Sequence, residues 1–179
     1  MTDINWHALA ADTSYSIRNL IDGELSTPDG DTEITKHSAR DGSLLYSFGE
    51  GRVEEVDQAV ASAKAAYEDG RWADLSLGQR QSVLLKLADL IEENRQELAL
   101  NECLDVGKPI TNALGDVSTT AATFRDAANS AGLLLHPSGS DGRSFCYHQR
   151  GPIGVVAGIA GWNFPVVLAA QKVAPALIM

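Results

Sequence analysis

Cysteine is scarce in this chain: Cys103 and Cys146 are the only two among 179 residues. They stand far apart, with no CxxC pair and no Cys/His spacing, which excludes a disulfide framework or a cysteine-built metal site and leaves two ordinary thiols. Basic residues are also few, 14 Lys and Arg against 24 Asp and Glu, for a net charge of −10. Nucleic acid and anionic membrane surfaces need a basic patch to displace their counterions, so both are excluded as partners. Residues 1–14 carry Asp3, His7 and Asp12 and lack the basic start and apolar block of a secretory signal, which points to the cytoplasm. Repeats and low-complexity linkers are missing too. A 44% hydrophobic, 21% charged chain of this length is of the globular type, able to bury roughly 70% of its unfolded surface.

One long stretch lacks charge altogether. Residues 151–171 hold no Asp, Glu, Lys or Arg over 21 positions, long enough to raise a membrane span. Pro152, Asn163, Pro165 and Gln171 argue against it, because polar and helix-breaking groups are costly in hydrocarbon. A strand, a polar turn and a short helix account for the segment better.

What is present is patterned. Ile17-Arg18-Asn19-Leu20-Ile21, then Asp22-Gly23 and Glu24-Leu25, reads as a hairpin, since Asp-Gly supplies the positive φ angles of a two-residue turn. A second extended region covers 32–48, broken at Asp41-Gly42. After Gly51 the period lengthens: Val56, Ala59, Val60, Ala63 and Tyr67 mark one amphipathic helix closed near Asp69-Gly70. Val83, Leu84, Leu87, Leu90, Ile91, Leu98 and Cys103 predict one or two more, stopped by Gly107 and Pro109. Ile110, Ala113, Leu114, Val117, Ala121, Phe124 and Ala128 form another stripe ending around Gly132. Phe145 and Tyr147 alternate with Cys146 and His148, as in a strand. The uncharged, β-branched run 154–160 suits a parallel strand covered on both faces. It feeds the turn Gly161-Trp162-Asn163-Phe164-Pro165, in which Pro165 fits the first turn of a helix.

These residues carry a resemblance. Asn19-Leu20-Ile21-Asp22-Gly23, Arg71-Trp72, Leu104-Asp105-Val106-Gly107-Lys108-Pro109, Pro152-Ile153-Gly154-Val155, the Trp-Asn-Phe-Pro turn and Lys172-Val173-Ala174-Pro175-Ala176-Leu177 follow in order. Together the chain resembles the N-terminal portion of the NAD(P)-dependent aldehyde dehydrogenases, with the γ-glutamyl-γ-aminobutyraldehyde and betaine-aldehyde branches nearest. The resemblance implies an α/β fold: a β-hairpin appendage (1–50), a helical part of a cofactor-binding domain (51–135), a strand or hairpin segment (136–151), and the first strand, turn and helix of a Rossmann-like parallel sheet, left incomplete (152–179).

The same resemblance implies an oxidoreductase that converts an aldehyde to a carboxylic acid with NAD or NADP, its full-length relatives forming homo-oligomers. Asn163 matches the asparagine whose side chain, with a backbone N–H, holds the alkoxide formed when a cysteine thiolate attacks the aldehyde; its alternative is to cap the following helix. Ile159, Ala160, Gly161 and Trp162, with Asn163, match positions along the nicotinamide, Gly161 standing where the family more often has proline. Lys172, nine residues after Asn163, matches a lysine given a charge-relay role in some members, or else bonds helix-end carbonyls. Asp105 matches a residue that in some members binds a monovalent cation, or else is a polar residue near a helix end. The family's nucleophilic cysteine and glutamate base are expected beyond residue 179, and neither Cys103 nor Cys146 substitutes for the nucleophile. The chain is therefore expected to be an inactive fragment. Its alternatives are a non-catalytic product that associates with full-length relatives through the strand at Phe145 and Tyr147, and an unstable remnant.

Overall fold

In the computed structural model, residues 4–134, 142–144 and 151–179 are described. The segment expected to form a strand around Phe145 and Tyr147, and with it Cys146, lies outside them. The order of elements is α1 (Trp6–Asp12), β1 (Asn19–Ile21), β2 (Glu24–Ser26), β3 (Glu33–His37), β4 (Leu44–Gly49), α2 (Val53–Glu68), α3 (Leu77–Glu93), α4 (Arg95–Val106), α5 (Ile110–Leu134) and α6 (Pro165–Ile178). The chain is mixed helix and strand.

Both hairpins form where turn chemistry demands. Asp22 and Gly23 take φ of 51° and 80°, the mirror-image turn that matches strand twist, and Leu20 pairs with Leu25 across it. The second pair, β3 with β4, is antiparallel from Glu33↔Gly49 to Lys36↔Tyr46 and irregular at Lys36/His37. Helix α1 went unread in the sequence. Its entry is marked by Asn5, whose side chain accepts from the Ala8 N–H at 3.1 Å, an N-cap in a stretch too short for its periodicity to register.

Glu55 joins the first hairpin to α2. One carboxylate oxygen accepts from the Asn19 side chain at 2.9 Å and the other from the Arg52 N–H at 2.8 Å. The apolar stripe of α2 stays open nonetheless, with Val56 59% and Val60 48% exposed. The core lies instead among α3, α5 and α6, where Leu84, Ala88, Ala121, Phe124, Ala128, Ala131, Ala170, Ala174 and Ile178 form one buried cluster. Six of these nine are alanine, so the helices meet nearly backbone to backbone, with few side-chain atoms between the axes. A smaller cluster, Ala99, Ala113 and Val117, seats α4 on α5. Trp72 reaches across to donate its indole N–H to the Leu177 carbonyl at 2.9 Å.

One expectation is corrected. Residues 154–160 are not a strand covered on both faces: they pair with no strand among the described residues, Gly154 takes a φ of 90°, and Ile159 is 91% exposed. An apolar β-branched run encodes a preference for pleated surroundings, but a ladder needs neighbours. Among the described residues no helix is long and apolar enough to cross a membrane.

Helix α4 ends at Gly107, which has a φ of 82° and donates its N–H to the Cys103 carbonyl. A Cβ there would lie 2.6 Å from the Ala39 Cβ. Gly107→Ala therefore meets both left-handed strain and a clash, and should lower unfolding stability by at least ~1 kcal/mol. A urea midpoint equal to the parent's would contradict this account of the helix end.

Candidate active-site turn

The turn at 161–165 is built by the start of α6. Pro165 occupies the first helical position, where its missing N–H is no loss, and the first helical bond runs from the Leu168 N–H to the Phe164 carbonyl at 2.9 Å. The N-cap is Phe164, with φ −137° and ψ 64° and no side-chain cap. Asn163 is therefore not the capping residue, which removes its structural alternative. Its carboxamide is exposed and makes no hydrogen bond among the described residues, leaving its N–H groups available to a ligand.

Gly161 shapes the approach. A Cβ at this position would stand 3.0 Å from Leu168 Cδ1 and 3.2 Å from Asn163 Oδ1, tight on both sides, so the absence of a side chain brings the Asn163 oxygen over the backbone of 161. Ile159 and Trp162, 91% and 78% exposed, extend an uncharged apolar edge beside it. Residues 159–163 are thus adjacent and outward-facing.

Lys172 is one helix face away. It is exposed and has no hydrogen bond or ion pair among the described residues, so it does not bond helix-end carbonyls; its Cβ lies 3.3 Å from where a Cβ of Gly158 would be. With Tyr67, Trp72, Val155 and Val156 it lines a cavity of about 340 Å³ between α2 and α6.

Asp105 stands apart from the turn, near the end of α4. Its Oδ1 accepts from the Tyr46 hydroxyl at 2.6 Å and lies 3.5 Å from Lys36 Nζ. Desolvation first, and then the bond to this carboxylate, pushes the Tyr46 phenol well above its ordinary value; burial and the same negative charge raise Tyr15. Tyr15, Tyr46, Asn101, Glu102 and Asp105 line a second cavity of about 430 Å³ that is closed on one side by Pro165 and Val166. No cluster of three or more His, Cys, Asp or Glu side chains suited to a metal occurs among the described residues. Cys103 packs on the small cluster between α4 and α5, and burial pushes its thiol up, away from the thiolate a nucleophile requires.

The strongest electrostatic feature was not read from the sequence. Lys108 Nζ lies 2.6 Å from both Glu102 Oε1 and Asp116 Oδ2, its side chain 12% exposed and theirs 1% and 18%. Burial opposes its charge, but hydrogen bonds to Asp116 and Glu102 outweigh that cost and raise its pKa. Glu102 is also raised, because desolvation exceeds the pull of Lys108, and its second oxygen, Oε2, has no partner. The ammonium sits 4.3 Å from the centroid of the Phe164 ring, immediately after Asn163. The trio escapes a periodicity reading because the break at Gly107 separates its members by six and eight positions; a lysine directly after a glycine cap was the one available signal.

Lys108→Met should leave two carboxylates buried without their cation, costing about 3 kcal/mol near neutral pH. An acid whose folded pKa exceeds its unfolded value opposes folding more as pH rises, so the deficit should shrink between about pH 7 and about pH 5 as Glu102 takes up a proton. Urea unfolding of parent and variant at both pH values measures it; a deficit that grows on acidification would contradict the charge assignment.

Comparison with known proteins places this geometry in context. The family model described as "Aldehyde dehydrogenase family" matches residues 26–179. Aldehyde dehydrogenase 1 of Tanacetum cinerariifolium is 41% identical over 176 residues, 97% of this chain and 35% of that protein. Aminoacetaldehyde dehydrogenase of Pseudomonas aeruginosa is 37% identical over 172 residues, 95% of this chain and again 35% of the relative. Among solved structures, the aldehyde dehydrogenase KauB from Pseudomonas aeruginosa superposes with a TM-score of 0.88 at 33% identity, covering 97% of this chain and 36% of the other. An indole-3-acetaldehyde dehydrogenase complexed with NAD+ gives 0.87 at 32% identity, with the same coverage. The chain thus spans about a third of the length of the relatives it matches.

Proposed function

Because this chain belongs to the aldehyde dehydrogenase family, we propose that it contributes the side-chain half of an oxyanion site to the NAD(P)-dependent oxidation of an aldehyde to a carboxylic acid. The observation that carries the reading is the Asn163 carboxamide, exposed just before α6, with no hydrogen bond among the described residues and no capping role. When a thiolate adds to an aldehyde carbon, the carbonyl oxygen becomes an alkoxide, and a neutral fixed donor such as Asn163 Nδ2 stabilises that charge as it develops. A carboxamide also gains no charge of its own to be desolvated.

The residues present fit a nicotinamide. Ile159 and Trp162 offer an exposed apolar edge beside Asn163, and no charge between 151 and 171 opposes the approach of a flat positive ring. NAD or NADP, when bound, supplies the hydride acceptor. Ala160 and Gly161 contribute backbone to that edge, and Asn163 orients the reacting oxygen next to it. Lys172, with no ion pair among the described residues, stands at the rim of the neighbouring cavity and is our candidate for a charge-relay lysine.

Asp105 is read differently. Held by Tyr46 and lying beside Lys36, it serves in our reading as an anchor between β4 and α4 rather than as a cation ligand, since the Lys36 ammonium already supplies a positive charge there. The nucleophile is not Cys103, whose thiol is kept protonated by burial.

Two measurements test the proposal. The purified 179-residue chain should give no aldehyde-dependent NADH formation, and turnover by it would refute the assignment of roles. Exchanged for the matching stretch of the Pseudomonas aeruginosa relative, the chain should support oxidation, and Asn163→Ala in that chimaera should lower kcat by a factor of about 10² to 10³, the effect of losing one oxyanion donor. An unchanged kcat would remove Asn163 from the chemistry.

A further inference from the structure

The buried lysine connects two features that the sequence keeps more than fifty positions apart. Lys108 is held from both sides, by Glu102 at the end of α4 and by Asp116 in the second turn of α5, each at 2.6 Å. Two of its three N–H bonds are therefore directed by partners that sit on packed helices. The same ammonium faces the Phe164 ring at 4.3 Å, and Phe164 is at once the N-cap of α6 and the residue that follows Asn163. The ring is only half covered, 44% exposed, so apolar burial alone does not fix it. Attraction between a cation and the negative face of a ring acts over this distance and is stronger for a cation already stripped of water.

We infer that Lys108 is a positioning residue for the Asn163 turn: clamped between Glu102 and Asp116, it fixes Phe164 and through it the direction in which the Asn163 carboxamide is presented. The inference rests on the reading of Asn163 as the donor for its purpose, though not for its geometry. It also accounts for a partly paired ion cluster under an otherwise alanine-rich packing. A lone internal ion pair contributes little net stability, whereas one that orders a neighbouring element has a use beyond its own energy.

Amide hydrogen exchange on the full chain tests it, read at the Leu168 N–H, whose bond to the Phe164 carbonyl closes the first turn of α6. Phe164→Leu leaves the ion cluster intact and removes only the ring. It should speed Leu168 exchange about fivefold, the size of a partly desolvated cation–ring contact, while Val117 in the core of α5 keeps the parent rate. Lys108→Met lowers overall stability and so speeds Leu168 and Val117 alike, but in that background Phe164→Leu should no longer speed Leu168 relative to Val117, whereas in a Lys108→Arg background it should do so again. The Asn163 side-chain NH₂ resonances should shift in the first two variants and return in the arginine variant. Unchanged Leu168 exchange in Phe164→Leu overturns the inference, as does a fivefold effect of Phe164→Leu that persists in the Lys108→Met background, where no ammonium faces the ring. None of these readouts involves turnover, so their failure removes the positioning role and leaves the donor role of Asn163 to the chimaera.

Discussion

A buried ammonium with two carboxylates at hydrogen-bond distance is the constraint on which the rest of the described site depends. Lys108 takes its place because Gly107 turns the chain in the left-handed region where α4 stops, delivering the side chain inward between α4 and α5. Two carboxylates share one ammonium here, and burial rather than the neighbouring charge is the main reason that the Glu102 pKa is raised, its second oxygen having no partner among the described residues. The two carboxylates are fixed on α4 and α5, and Lys108 stands in the connection between those helices. The first turn of α6 is then placed by contact with this cluster on one side and by the alanine-lined packing against α3 and α5 on the other.

The arrangement separates rigid from exposed parts of the chain in a useful way. The main buried cluster lies among α3, α5 and α6, and the residues that face outward, 159 to 163, lead into the start of α6. A donor that must meet a developing charge benefits from such support, because reorganisation at the moment of reaction would cancel part of its effect. The cavity beneath Pro165 and Val166, lined by Tyr15, Tyr46 and Asp105, shows that the support is polar below and apolar behind. Burial and the Asp105 charge raise both phenols further above neutral pH, so neither tyrosine adds a charge there.

Local chemistry made much of this legible in the residues themselves. Asp22-Gly23 specified its hairpin, the three- and four-residue spacing marked α2, α5 and the stripe that divides into α3 and α4, and Pro165 specified the start of α6, since each signal is satisfied by near neighbours. The turn residues were found because they are consecutive. Three features were hidden: the short helix α1, too brief for a periodicity and marked only by a capping asparagine; residues 154–160, whose composition speaks for a strand but whose pairing depends on neighbours; and the Lys108 cluster, assembled across a helix break. Asn163 itself could be placed in the turn but not separated from a capping role until Phe164 was seen to hold the cap.

The alanine face of the core has a consequence for how this sequence can vary over time. Ala88, Ala121, Ala128, Ala170 and Ala174 are 2% exposed or less, and at such close approach one added methylene must displace a whole helix, because interiors have no spare room to absorb it. Moving α6 outward would swing its first turn away from the lysine below it. The plainest side chains in the protein are thus the ones with the least evolutionary latitude, and drift that reaches the outward-facing turn would enter first through residues that carry no chemistry at all.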